Sequence, residues 1–158
     1  MVSFQLRPAT QDDYDFMKRV GHDGLRPHVE AYRTWNQDIE DEGFRQIFDP
    51  HRQSIVVAEG VDAGYVHLVE DAEGLWIAGI YLDGPHRARG LGGAVLNQLV
   101  DQAHLEGLPI RLRVHKTNPA VTLYQRYGFQ VETESETQFV MVRYPAVSVS
   151  SPISVSSN

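Results

Sequence analysis

Residues 77–100 read IAGIYLDGPHRARGLGGAVLNQLV. An apolar, β-branched run leads into a turn, Arg87-Ala88-Arg89-Gly90-Leu91-Gly92-Gly93, and a helix-periodic segment begins inside the glycines. The first backbone N–H groups of a helix have no acceptor within it and carry the positive end of its dipole, so such a turn can seat an anion. Gly90, Gly92 and Gly93 would let phosphate oxygens reach the backbone, and His86, Arg87 and Arg89 supply local positive charge.

Upstream of this turn, QSIVVAE (53–59), AGYVHLVED (63–71) and GLWIAGIYLD (74–83) predict three consecutive antiparallel strands. Downstream, Leu91, Val95, Leu99 and Ala103 recur every fourth position opposite a polar face, and Gly107 and Pro109 end that helix. IRLRVH (110–115) alternates as a strand. NPAVTLYQRYGF (118–129) predicts a short helix with Asn118 as N-cap, Pro119 at its first position and Gly128 just past its end. FQVETE and TQFVMVRY form a closing hairpin.

At the N-terminus, SFQLR (3–7) predicts a short strand, and Thr10 with Asp13 opens a helix that Gly21, Gly24 and Pro27 interrupt. A second helix spans Gln37 to Phe48, with Phe44, Ile47 and Phe48 on one face and Asp38, Glu40, Asp41 and Glu42 on another. The element order predicts an α/β (α+β) fold: a mixed, mostly antiparallel sheet of about 6–7 strands with helices on both faces. Residues 1–144 form one domain. The Ser-rich tail, 145–158, frays or pairs as an edge strand through Val147 and Val149.

Composition narrows the function classes. With 42% hydrophobic and 22% charged residues over 158 positions, the chain buries an ordinary core. A net charge of −7 argues against a nucleic-acid partner, because that binding needs clustered Lys and Arg. No apolar run is long enough for a membrane span and no signal-peptide pattern opens the chain, so the expectation is a cytoplasmic protein with no membrane partner. The absence of Cys excludes a Cys-bound acyl intermediate and a thiolate metal site. The His residues show no paired metal spacing, so no metal is expected.

Three phosphate ligands could use the glycine turn. A nucleoside-triphosphate loop needs Lys-Ser or Lys-Thr where this chain has Gly93-Ala94. A dinucleotide fingerprint needs Gly or Ala where Val95 stands, in the first turn of a parallel unit. The pattern Arg87-x-x-Gly90-x-Gly92, behind Ile80-Tyr81-Leu82, instead resembles the coenzyme A pyrophosphate turn of the GNAT superfamily of N-acyltransferases, and the resemblance runs from about Phe4 to Tyr144.

The resemblance implies that the pantetheine arm of acetyl-CoA lies between splayed strands, GLWIAGIYLD and IRLRVH. Ile80 and Leu82 would be its backbone partners beside Tyr81, with Gly79 permitting a bulge. Arg87, Ala88, Arg89, Gly90, Leu91, Gly92 and Gly93 would then hold the pyrophosphate. A second motif, Asn118…Tyr124…Gly128-Phe129, is similar to the family's Asn-Tyr-Gly-Phe signature, although the Asn–Tyr spacing is six where seven is commoner. It implies Asn118 on the cofactor arm and Tyr124 as general acid to the departing thiolate. A helix tyrosine beside Leu123 is also an ordinary core residue.

The implied reaction is direct attack of an amine on the thioester. His115, His67, Glu70 and Tyr81 are the candidates for taking its proton, His115 and His67 ahead of the others, and the resemblance leaves open a water chain with no single base. Trp35, Tyr81 and His67 are candidates for the acceptor side. If Trp35, Asp38 and Glu42 faced the pocket they would suit a cationic amine of a small molecule or peptide; the alternative is a solvated acidic helix face. A non-catalytic acyl-CoA-binding domain is the competing functional class, and the C-terminal strands offer an edge for a homodimer.

Overall fold

The computed structural model describes residues 2–146. Strand β1 (Gln5–Pro8) is followed by helices α1 (Tyr14–Glu30) and α2 (Gln37–Ile47), then strands β2 (Gln53–Ala58), β3 (Val61–Asp71) and β4 (Gly74–Leu82). Helix α3 (Leu91–Glu106), strand β5 (Ile110–His115), helix α4 (Ala120–Arg126) and strands β6 (Gln130–Glu134) and β7 (Gln138–Arg143) complete the order. The expected edge-pairing by Val147 and Val149 lies outside the described residues.

The strands form one 7-stranded sheet in the order β1-β2-β3-β4-β5-β7-β6. Every neighbouring pair is antiparallel except β4 and β5. The expected hairpin is present, but its second strand, β7, takes the place beside β5. The reason is burial: β7 contributes Met141 and Val142 to the core, whereas QVETE in β6 is exposed throughout and suits only an edge.

Each sheet face has its own core. On one, Val95, Leu96 and Leu99 of α3 pack on Val56, Val66, Ile77, Leu112 and Met141. On the other, Met17 and Val20 of α1 and Phe44 of α2 pack on Ile55 and Tyr65. The predicted capping box forms on a single 3-10 turn, Gln11–Asp13, that leads into α1, with Asp13 Oδ2 accepting from the Thr10 N–H at 2.8 Å, but the first helix does not stop at Gly21. It runs through Gly21, Gly24 and Pro27 to Glu30.

The glycines are there for packing rather than termination. A Cβ on Gly21 would stand 2.5 Å from the Tyr65 hydroxyl, and one on Gly24 would stand 3.2 Å from the Tyr81 ring. Close helix-to-sheet contact over those two tyrosines outweighs the roughly 1 kcal/mol propensity cost of each glycine. In α2, Phe44 is buried as expected, whereas Ile47 is 54% exposed because the helix covers the sheet with a narrower stripe.

Candidate active site

The parallel pair is short. β4 and β5 pair only through Leu75↔Ile110, Trp76↔Arg111 and Ile77↔Leu112, and then they part. On the other side of β4 the register slips: His67 opposes Gly79 while Leu68 opposes Ile77, leaving Ala78 as an extra residue. That bulge turns the second half of β4 away from β5, as bulges do. The sequence pointed to Gly79; the inserted residue is its neighbour.

The resulting gap opens into a cleft of about 1050 Å³. Ala78, Gly79, Ile80, Tyr81 and Leu82 form one wall, and Val114 and His115 of β5 face them. The floor continues to Arg87, Ala88, Gly90, Gly92 and Gly93. α4 adds Tyr124 and Tyr127, and the end of α1 adds Gly24, Pro27 and His28.

The glycine turn is wound for its task. Ala88 and Gly90 both take left-handed backbone, φ 60° and 82°, a conformation that costs Ala88 strain and Gly90 almost none. This brings Leu91, Gly92 and Gly93 into the first turn of α3, where their N–H groups precede any helical acceptor. The glycines differ in purpose. A Cβ on Gly92 would meet only Leu82, at 3.7 Å, while one on Gly93 would stand 3.0 Å from the Tyr127 hydroxyl, so Gly93 also permits α3 and α4 to approach. Leu91 gives its side chain to the core, 3% exposed, leaving only its N–H for the turn. Arg87 lies back on β4, its Nε donating to the Leu82 carbonyl at 2.9 Å, whereas Arg89 is exposed and outside the cleft lining. Arg19 and Asp83, paired at 2.9 Å, fasten α1 to the end of β4 beside this turn.

Asn118 lines the cleft, and its Oδ1 accepts from the Ala120 N–H at 2.8 Å; α4 begins at Ala120, so the cap position falls on Pro119, one residue later than the sequence predicts. That bond leaves the amide N–H groups of Asn118 for a ligand. Tyr124 is half-buried and packs edge-on against Phe129 at 6.0 Å. Burial, and secondarily Tyr81, pushes its phenol up to about 12. Desolvation also raises Tyr81 and Tyr65. Tyr124 therefore stays protonated at ordinary pH and can donate but not abstract.

His115 also lines the cleft, but both of its nitrogens face protein. Nδ1 is buried without a partner and Nε2 is 3.5 Å from Gln138 Nε2. Its ring stacks on His28, centroids 5.6 Å apart and 10° from parallel. His28 Nδ1 lies 3.1 Å from Thr117 Oγ1. Burial lowers both imidazoles below their ordinary range, and in His115 the neighbouring His28 adds to the effect.

Five sequence candidates fall elsewhere. His67 sits opposite Gln53 in the register, its Nδ1 3.4 Å from Gln53 Nε2, and does not line the cleft. Glu70 is exposed near the far end of β3, opposite Leu75. Trp35 belongs to the α1–α2 loop, where its indole donates to Gln37 at 3.1 Å and meets His22 edge-on. Asp38 and Glu42 are exposed, and Glu42 pairs with Arg45, so these two carboxylates lie on a solvated helix face, whereas Glu40 is largely covered and held by Arg33. The α1 wall is what the sequence reading missed. The Gly24-x-x-x-His28 spacing would have shown it once the helix was carried past Gly21. Among the described residues no cluster of His, Asp or Glu could hold a metal ion, and no helix is long and apolar enough to cross a membrane.

Comparison with known proteins agrees with this architecture. The family model for the acetyltransferase (GNAT) domain matches residues 19–145. No curated protein matches the sequence. The PaiA N-acetyltransferase of Thermoplasma acidophilum, solved with coenzyme A, superposes with TM-score 0.72 at 16% identity, covering 90% of this chain and 99% of that one. The ribosomal-protein-S18-alanine N-acetyltransferase of Escherichia coli gives 0.66 at 16%, covering 92% and 96%. An acetyltransferase of Thermus thermophilus gives 0.67 at 22%, covering 91% and 99%. At these identities the likeness establishes the fold.

Proposed function

Because this chain belongs to the GNAT acetyltransferase domain family, we propose that it transfers an acetyl group from acetyl-CoA to a primary amine of a small molecule or peptide within a ternary complex. One observation carries this reading. The β4–β5 gap, the glycine turn and the Tyr124 phenol all open into the same cleft.

The residues fit coenzyme A. Unpaired strand edge from Ala78 to Leu82 offers the backbone groups that an amide-bearing pantetheine arm needs, and the left-handed turn at Ala88 and Gly90 aims N–H groups and Arg87 at a pyrophosphate. The free amide of Asn118 adds a donor beside the arm. When bound, acetyl-CoA supplies an activated acyl carbon.

The chain's own groups do the rest. A backbone N–H on the freed part of β4 stabilises negative charge on the carbonyl oxygen. Tyr124 donates its O–H toward sulfur as charge gathers there. A thiol is ordinarily the stronger acid, at about 8.5 against about 10, and burial raises phenol and thiol alike, so that order is unchanged and the O–H first acts as a hydrogen-bond donor to the charge on sulfur.

Free-thiol release from acetyl-CoA, measured with spermidine, glucosamine and an alanine-initiated peptide, tests the reading. Release with at least one amine is expected. Tight coenzyme A binding without release for any amine would instead support a non-catalytic acyl-CoA-binding domain.

A further inference from the structure

We propose that His28 Nε2 is the atom that takes the proton from the acceptor amine, with Thr117 fixing the tautomer of the ring and His115 supporting it from below; the inference rests on the N-acyltransferase reading above. Three observations place it there.

The first is position. Gly24 and His28 are one helical turn apart and therefore share a face of α1, and both line the cleft. Gly24 packs against the Tyr81 ring, and Tyr81 lies near enough to Tyr124 to act on its phenol electrostatically. His28, from α1, and Tyr124, from α4, thus line one cleft with Tyr81 between their elements.

The second is orientation. The 3.1 Å contact between His28 Nδ1 and Thr117 Oγ1 can run either way, since a hydroxyl both donates and accepts; with the ring as donor, the lone pair of the neutral imidazole lies on Nε2, which has no hydrogen-bond partner among the described residues. His115 cannot offer the same, because one of its nitrogens is enclosed and the other is at Gln138.

The third is the surrounding charge. The titratable and charged groups that share the cleft are Asp23 on α1, Tyr81 on β4, Arg87 in the turn, Arg113 and His115 on β5, and Tyr124, Arg126 and Tyr127 on α4. Arginines do not accept protons, and burial keeps the Tyr81 and Tyr124 phenols protonated. Asp23 is exposed at the rim, 3.9 Å from Arg19. Burial disfavours the charged form of the His28 ring, so it rests neutral and ready to accept, stacked on the His115 ring.

The step balances without an oxidant. The amine lone pair forms the C–N bond as the carbonyl π pair moves to oxygen, and the N–H proton passes to His28 Nε2. The oxygen pair then returns to carbon as the C–S bond breaks with its electrons on sulfur. Sulfur takes the Tyr124 proton, and solvent restores both side chains.

Ring-nitrogen NMR of the substrate-free protein comes first. His28 should show a protonated Nδ1 and a bare Nε2, and the opposite tautomer overturns the proposal. Thiol release with the amine that the wild type uses fastest is then followed from about pH 5 to 9, the range in which imidazole titrates. The wild-type rate should rise with pH and level off. His28→Asn should lower kcat about 100-fold and abolish that rise, with KM for acetyl-CoA within about twofold. His28→Gln serves as the second variant, with circular dichroism confirming the fold of each.

Thr117→Val should lower kcat about tenfold and displace the rise, and Thr117→Ser should restore both. His115→Asn should keep the rise. Persistence of the rise in both His28 variants overturns the proposal while leaving the acyltransferase reading intact, as does its loss in His115→Asn alone. A wild type that acetylates no amine overturns the reading and the proposal together.

Discussion

The two ends of the cleft are built in opposite ways. The end that fits coenzyme A comes from one continuous stretch, Ala78 to Gly93, and works mainly through backbone: a freed strand edge, two left-handed residues and the first N–H groups of α3. The end where an amine would be handled draws single side chains from four elements, His28 from α1, Tyr81 from β4, His115 from β5 and Tyr124 from α4. A backbone site depends on local chain geometry, so it is written in adjacent residues. A side-chain site depends on helices and strands docking at the correct depth. The glycines at positions 24, 64 and 79 set that depth around Tyr81.

The largest expected effect tests that dependence. A Cβ on Gly64 would collide with the Tyr81 carbonyl on the paired strand, and backbone cannot rotate away, so Gly64→Ala should cost about 3 kcal/mol in a denaturant melt. A loss near zero would show that β3 and β4 can slide, and that depth is not fixed there. Next is chemistry at the assembled end. Tyr124→Phe should lower kcat about 100-fold and leave coenzyme A affinity unchanged; an unaltered rate removes the phenol from the reaction.

At the other end, Gly92→Asp has room for its Cβ, 3.7 Å from Leu82, so the protein should fold normally. It should bind coenzyme A at least about tenfold more weakly by calorimetry, equivalent to about 1.4 kcal/mol, because a carboxylate then faces the anion site. Unchanged affinity would mean that the site lies elsewhere. A smaller change is expected for Gly24→Ala. The new Cβ must push aside the Tyr81 ring, a movable side chain, so KM for the amine should rise a few-fold, roughly 1 kcal/mol, with that for acetyl-CoA unmoved. A shift in both would show that the ends are not separable.

Stability against pH gives the mildest test. Burial lowers His28, His67 and His115, so the unfolded chain binds more protons than the folded one below the ordinary imidazole value of 6.5. Stability is complete above that value and falls with acidification toward the folded-state pKa of each ring. Asp13 acts with the same sign at lower pH. Arg7 holds its carboxyl below 3.8, and that stabilisation disappears only as pH drops through the lowered value. Thermal melts should therefore show two separate acid losses, and His28→Asn should diminish the first.

Much of the fold was legible because its signals are local. Alternation marked the strands, the every-fourth spacing of Leu91, Val95, Leu99 and Ala103 marked α3, and Thr10 with Asp13 marked the start of the first helical segment. Gly21 and Gly24 misled the reading, because a glycine that ends a helix and one that lets a tyrosine approach it look alike in sequence. Trp35 and the acidic run after it left two readings open for a related reason: an exposed face and a pocket wall share one composition.

What the sequence determined by itself was the glycine turn, the order of elements and the placing of Tyr124 after Asn118, since each rests on contacts within a few residues. What only the tertiary structure decided was that β7 lies beside β5, that Ala78 is the inserted residue, and that His28 meets His115 and Thr117, 87 and 89 positions later in the chain. Those contacts depend on how burial is shared between elements far apart in sequence, and no local pattern encodes that choice.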